Sequence, residues 1–317
     1  MYVYLDWNIF DRLEKLATLQ GDDVTVYTVI EKIITANDTI CPYSNAHLYD
    51  LLRGYNKNPA YTPDHLNILA KFTKNLCICQ YWGHSEVSWH YRSVHEFFDD
   101  LLQEKEDETG DFEELLKNDP LGVWEFQKTL LRTMPLPANF KGIYQVDPLF
   151  NIIYPRTKTE SNMLALYADL YHFSLMLSKD FSLYKSFKKF LILTMNRLRK
   201  DQRILKMAKQ SILEKPKYLD IDKVADKFMP KTEVSKNDLY SKIIDVFFRY
   251  DLKGYKTDDR FPNMFDDALH TFYGAHCDFF ITNDDKCQYK AQKTYERIGI
   301  TTEVLTASEF VKRWSTN

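Results

Sequence analysis

Tyr2-Val3-Tyr4-Leu5-Asp6-Trp7-Asn8 opens the chain with a short apolar run, rich in aromatic and β-branched residues, that ends in an acid. A run this brief favours an extended strand over a helix. The pattern returns near the other end, where Phe279-Phe280-Ile281-Thr282 leads into Asn283-Asp284-Asp285. In an open parallel sheet, ligands bind at the carboxyl edge of the strands. Two carboxylates at that edge repel each other, and a divalent cation between them removes the repulsion. A metal site is therefore the first functional expectation.

Outward from Asp6, Ile9 to Leu19 and Val24 to Thr35 have the spacing of amphipathic helices, and a second strand is predicted at about Thr39 to Pro42. Ser44 stands where a helix N-cap belongs, ahead of a helix from Asn45 to Arg53. This β-α-α-β-α order predicts a parallel sheet. At the far end, a loop (Tyr255 to Asn263) precedes a helix (Met264 to His276), the Phe279 strand and a helix (Lys286 to Ile298). A strand (Thr302 to Leu305) and a helix (Ser308 to Trp314) follow. The two ends together supply about 119 residues, the size of one ordinary domain. Residues 1–55 and 254–317 are thus expected to form one discontinuous α/β core. Helical periodicity prevails from Pro63 to about Tyr250, with Leu76 to Tyr81 as the strand-like exception, so 56–253 reads as a mainly α-helical insertion. Part of 56–82 is assignable to the core.

The chain has 317 residues, 44% of them hydrophobic and 27% charged, which is the balance of a globular protein. With only 9 Gly and 11 Pro, a turn-rich all-β fold is disfavoured. A net charge of −3 does not advertise nucleic-acid binding, but it hides two opposed patches. Glu96 to Asp119 carries 11 acids against 2 bases, and Lys185 to Lys217 carries 11 bases against 2 acids. Arg199, Arg203, Lys206 and Lys209 recur at helical spacing in the second, as a stripe suited to a phosphate backbone or simply as a solvated face. The five cysteines are scattered and odd in number, as in a reduced, cytoplasmic protein. Cys77 and Cys79 share one face of a strand, with His65, His84, His90 and His95 nearby in sequence. Their spacing is tighter than that of the usual zinc pair, and no second cysteine pair follows. No signal-peptide pattern precedes Tyr2, and no apolar run reaches the ~18 residues that span a bilayer, so a soluble protein without membrane partners is expected.

Geometry sorts the acids. Asp6 and Asp284 lie at or just past the carboxyl ends of their strands, whereas Asp278 lies about six residues before Asp284, roughly 20 Å away at ~3.3 Å per residue. The helix entering the Phe279 strand runs antiparallel to it, so its first turn, with Asp266 and Asp267, is expected at the same edge. Asp50 lies about a turn and a half into its helix, within reach of the cleft. Each has a plainer reading: Asp284 as an N-cap, Asp267 as an ordinary first-turn acid. Hard oxygen ligands without thiolates favour one or two Mg²⁺ or Mn²⁺ ions over zinc. Asp6, Asp267 and Asp284 are candidate metal ligands, with Asp50 a further ligand or the group that orients an attacking water. Asn8, Ser44 and Thr282 are candidate donors behind them, and His270 is a candidate substrate contact or proton donor, or simply a partner for an acid.

In order and spacing these residues resemble the PIN-domain nucleases. The family signature has an acid ending the first strand with Asn two residues on, matched by Asp6 and Asn8. A second acid lies within a helix opened by Ser or Thr, matched by Ser44 and Asp50. A third begins Asp-Ala-Leu, matched by Asp267-Ala268-Leu269, and a fourth lies in Thr-x-Asp, matched by Thr282-Asn283-Asp284, with Asp285 as an extra member. The resemblance covers about the first 55 and the last 64 residues. It departs in having Asp50 where Glu is usual, and in the long insertion. It implies a three-layer α/β/α fold with a central parallel sheet, catalysis by Asp6, Asp50, Asp267 and Asp284, and endonucleolytic hydrolysis of RNA. RNA would then need basic surface, for which Arg199, Arg203, Lys206 and Lys209 are the leading candidates and Arg53, Arg156, Lys158 and Arg260 the lesser. A homo-oligomer is compatible with the sequence. The rival expectation is a catalytically silent PIN-like module that binds RNA or protein. A phosphohydrolase of the haloacid-dehalogenase type needs Asp-x-Asp after the first strand, where position 8 is Asn.

Overall fold

The computed structural model describes residues 1–81, 84, 86–107, 130–131, 133–134, 162–200, 238–252, 256 and 261–315. The fold is mixed α/β and mostly helical. In chain order the elements are β1 (Val3–Leu5), α1 (Trp7–Glu14), α2 (Asp22–Thr35), α3 (Asn45–Tyr55), α4 (Thr62–Thr73), β2 (Leu76–Cys79), β3 (Ser88–Tyr91) and α5 (Val94–Asp107). They continue with α6 (Met163–Lys179), α7 (Phe181–Lys200), α8 (Leu239–Leu252), α9 (Phe261–Gly274), β4 (Phe279–Ile281), α10 (Asp285–Ile298), β5 (Glu303–Leu305) and α11 (Ala307–Ser315). Two compact units divide the chain: Met1–Leu102 with Asp220–Asp258 and Asn263–Asn317, and Gln103–Leu219 with Asp259–Pro262.

In the first unit, β1, β4 and β5 form a small parallel sheet in the order β1-β4-β5. Strand alternation divides its side chains between two cores. Val3, Leu5 and Ile281 enter one with Ile9, Phe10, Ile30 and Leu48; Tyr4 and Phe280 enter the other with Leu269, Phe272, Ala291 and Tyr295. Burying each such side chain contributes roughly 1.5–3 kcal/mol. Gly274 closes α9 against the second core, where an added Cβ would lie 2.8 Å from Phe280 Cγ. The amide of Asp6 donates to Ile281 O (2.9 Å), while that of Tyr2 donates to Asp278 Oδ2 (2.8 Å). Asp6 and Asp278 therefore lie at opposite ends of the sheet, as the residue count requires.

Three local readings need correction. The strand expected at Thr39 to Pro42 is reduced to isolated parallel bridges, Tyr2 with Ile40 and Tyr43 with Cys77. Pro42 lies between them and has no N–H to donate to a ladder. The strand at Leu76 pairs antiparallel with an unexpected partner, Ser88–Tyr91. Finally, α9 starts at Phe261 rather than Met264, with Pro262 in its first turn, where a missing N–H costs nothing. Asp266 and Asp267 are consequently its sixth and seventh residues, not first-turn acids.

The second unit contains the α6–α7 hairpin. Asn162 caps α6 by accepting from Ala165 N (2.9 Å), and Asp180 accepts from Leu183 N (3.0 Å) at the start of α7. Phe173 and Phe187 meet edge to face at 5.1 Å between the two helices. Among the described residues, no helix is long and apolar enough to cross a membrane.

Candidate metal centre

Asp6 ends β1 and is buried, which is costly for a carboxylate without partners. Its Oδ2 accepts from the Thr282 hydroxyl (2.6 Å) and from Asn8 Nδ2 (2.5 Å). Asn8 also donates to Thr282 Oγ1 (3.1 Å) and accepts from Asn283 N (3.1 Å), locking the two strand ends together. The other oxygen, Oδ1, faces His270 Nε2 at 3.8 Å.

His270 is the hub. Its Nε2 lies 2.8 Å from Asp50 Oδ2, and its Nδ1 lies 2.9 Å from the Tyr4 hydroxyl. Asp50, on α3, is also paired with Arg53 one turn along, and Arg53 reaches across to Asp266 and to Asn263 Oδ1 (3.1 Å). One potential ligand atom from each of Asp6, Asp50 and His270 falls within 4.8 Å of the others. Two carboxylates and an imidazole at this separation are a donor set that can hold a divalent ion, with positions left for water or a substrate oxygen.

Electrostatics separates the two acids. Burial pushes the Asp6 carboxyl up, with Asp50 adding to the rise and His270 opposing it. Burial works the same way on Asp50, but the hydrogen bond and charge of His270, with Arg53, outweigh it and hold Asp50 below its ordinary value. His270 is discouraged from charging by burial, yet Asp50, Asp6 and Asp266 raise it overall. Burial also lifts Asp266 to about 7 against the pull of Arg53. Neighbouring carboxylates driven apart in this way are suited to different proton-handling roles.

A line of polar groups supports His270 from behind. The Tyr4 hydroxyl, kept protonated by burial, is 2.7 Å from Ser44 Oγ, which accepts from Ala46 N (3.2 Å) and caps α3. Ser44 N donates to His47 Nδ1 (3.0 Å), so His47 carries its proton on Nε2 and donates it to Leu5 O (2.7 Å). Burial, reinforced by His270, lowers His47 to about 3 and keeps it neutral.

The structure brings together Asp6, Asp50 and His270, with Asn8, Ser44 and Thr282 directly behind them. Asp267, Asp284 and Asp285 are not in that group. Asp266 and His270, one turn apart on α9, face Arg53 and Asp50 at the cleft. The charge of Asp267 is felt at the buried Cys287 thiol, along with those of Asp6 and Asp284. Asp284 caps α10, its Oδ1 accepting from Lys286 N (2.7 Å) and Cys287 N (3.0 Å). Asp285 has a side chain 80% exposed, 3.5 Å from Lys256. Arg53 is committed to Asp50 and Asp266 rather than open to phosphate. Arg199 lies in α7, while Arg203, Lys206, Lys209, Arg156, Lys158 and Arg260 lie outside the described residues.

Sequence reading missed Tyr4 and His47, and it placed Asp266 at this edge without giving it a role. His47 occupies the position of a capping-box acceptor after Ser44, a signal that was available. Tyr4 alternates with Val3 and Leu5 and so had to face the opposite core. Comparison with protein-family models, curated proteins and solved structures finds no match to this chain. The functional reading therefore rests on the site's own geometry.

Proposed function

We propose that the protein is a metal-dependent endoribonuclease, a divergent PIN-like phosphodiesterase whose three-layer α/β core carries a large helical insertion. The observation that carries this reading is the convergence of Asp6, Asp50 and His270 at the sheet's carboxyl edge, with Asp6 anchored by Asn8 and Thr282. Mg²⁺ or Mn²⁺ is the proposed cofactor, and an imidazole among the ligands makes Mn²⁺ the better probe. When bound, the ion would supply a water of lowered pKa and charge stabilisation at the scissile phosphate. Asp50, kept ionised, orients that water. His270, held at Nδ1 by the Tyr4 hydroxyl, would complete the donor set through Nε2. Asp267 and Asp284 add negative potential near the ion, and the stripe Arg199, Arg203, Lys206 and Lys209 is the proposed RNA contact.

The test is incubation of structured and unstructured RNA with Mn²⁺, comparing wild type with Asp6→Asn. Mn²⁺-dependent cleavage lost in the variant supports the proposal; equal cleavage by both removes the site from contention.

One observation favours a second reading, a catalytically silent module that binds RNA or protein. The cluster carries its own positive partners: Arg53 pairs with Asp50 and Asp266, and His270 lies against Asp50 and Asp6. A cation has less to neutralise than the sequence suggests. Such a module would show RNA binding unaffected by Asp6→Asn and no response to Mn²⁺.

A further inference from the structure

A second donor group sits on the β2–β3 hairpin. The antiparallel register sets Cys77 opposite His90, and Cys79, two residues along β2, faces the same side. One ligand atom from each of Cys77, Cys79 and His90 lies within 4.8 Å of the others. Both cysteines are buried and His90 is partly buried. The Tyr81 hydroxyl is 3.2 Å from His90 Nε2 and also hydrogen-bonds the Cys79 thiol. The Tyr43 hydroxyl, which donates to Arg92 O (2.8 Å), is beside the Cys77 thiol. Arg92, whose guanidinium lies 3.6 Å above the Phe97 ring, is near enough to act electrostatically on both sulfurs.

We propose that Cys77, Cys79 and His90 form a thiolate–imidazole site for Zn²⁺, separate from the acidic centre. Cysteines two apart cannot wrap an ion in the manner of a zinc knuckle, but a hairpin supplies the missing ligand from its facing strand. At ~2.3 Å for Zn–S and ~2.0–2.1 Å for Zn–N, tetrahedral ligand atoms lie about 3.5–3.8 Å apart, so the group need close by only about 1 Å. Two thiolates match the ion's charge, and soft sulfur selects it over Mg²⁺ and Mn²⁺. Coordination through His90 Nδ1 keeps the Tyr81 hydrogen bond as the outer contact that orients a ligating imidazole; coordination through Nε2 replaces it. The bland alternative is that Cys77 and Cys79 are simply small members of the core that also contains Tyr43 and Phe98.

The experiment titrates Co²⁺ alone, then Zn²⁺, into reduced, metal-stripped full-length protein. One equivalent of Co²⁺ should produce sulfur-to-cobalt charge-transfer absorption, which Zn²⁺ abolishes by displacement. The Cys77→Ala/Cys79→Ala variant should lose the absorption, and His90→Ala should bind Co²⁺ at least tenfold more weakly with an unchanged far-UV circular dichroism spectrum. Absence of the sulfur band in wild type, or its persistence in the double variant, overturns the proposal. If the double variant does not fold, His90→Ala decides: wild-type Co²⁺ affinity in that variant is equally fatal.

Discussion

The sheet edge and the β2–β3 hairpin each gather three metal-capable side chains, but by opposite routes. At the edge, the donors come from distant parts of the chain, His270 and Asp50 being 220 residues apart, and they converge because α3 and α9 pack beside the end of β1. On the hairpin, a single register between adjacent strands does the work. The edge holds hard carboxylates already partnered by Arg53 and His270, so a cation must compete with the protein's own positive charges. The hairpin holds thiols against an apolar core, with Arg92 near enough to act on the sulfurs but not paired with them as Arg53 is with Asp50 and Asp266. Chain separation thus says little about a site's readiness; internal charge balance says more.

The largest expected effect comes from Asp6→Asn. It should lower Mn²⁺-dependent RNA cleavage at least about 10²-fold, in line with removal of a principal electrostatic group from an active site. The same variant should leave the cobalt–sulfur absorption of the hairpin intact. Loss of both signals would show that the two groups are not independent.

Acid should weaken the edge before the hairpin. His47 has a folded value near 3, depressed from 6.5, so the unfolded chain takes up the proton first. Its contribution to stability is complete above about pH 6.5 and is lost as pH falls toward 3. Two pH units of that window correspond to roughly 2–3 kcal/mol. Asp266, raised to about 7, works in the opposite sense over the same range, so the measure is the difference between proteins: from pH 6.5 to 4.5, urea unfolding should show wild type losing stability relative to His47→Gln by that order. An identical loss in the variant would remove His47 as its source.

A smaller effect separates the cores. Gly274→Ala places a Cβ against Phe280 Cγ and the Tyr295 hydroxyl, and should destabilise by about 1–3 kcal/mol through overpacking. Denaturant unfolding measures this directly, and the hairpin's Co²⁺ affinity should not change.

How much of this was legible in sequence depends on the range of the contact. Asp6 stood out because an acid closing an apolar strand needs a partner, and Asn8 and Thr282 sit within three residues of a strand end. The Ser44 cap was legible from local chemistry alone. His270 was legible as a candidate partner for an acid, but its pairing with Asp50 was not, because that contact joins α3 and α9 across 220 residues. The His90 partnership was hidden for another reason. Strand register is a non-local choice, and Ser88-Trp89-His90-Tyr91 lacks the apolar alternation that marks a strand. The resemblance anticipated a four-aspartate cluster; the structure instead gathers two aspartates and a histidine, with Asp284 serving as a helix cap.

Mn²⁺ titration followed by thermal unfolding, in wild type and Asp6→Asn at pH 6.0 and 7.5, tests the edge site most directly. Burial raises Asp6 and the neighbouring acids raise His270, so protons compete with the cation for these donors and binding should strengthen as pH rises. At about 100 times its dissociation constant the ion should stabilise wild type by ~2.7 kcal/mol, more readily at pH 7.5, with little shift in the variant. An equal shift in both proteins, or none in either, would contradict a cation site built on Asp6, Asp50 and His270.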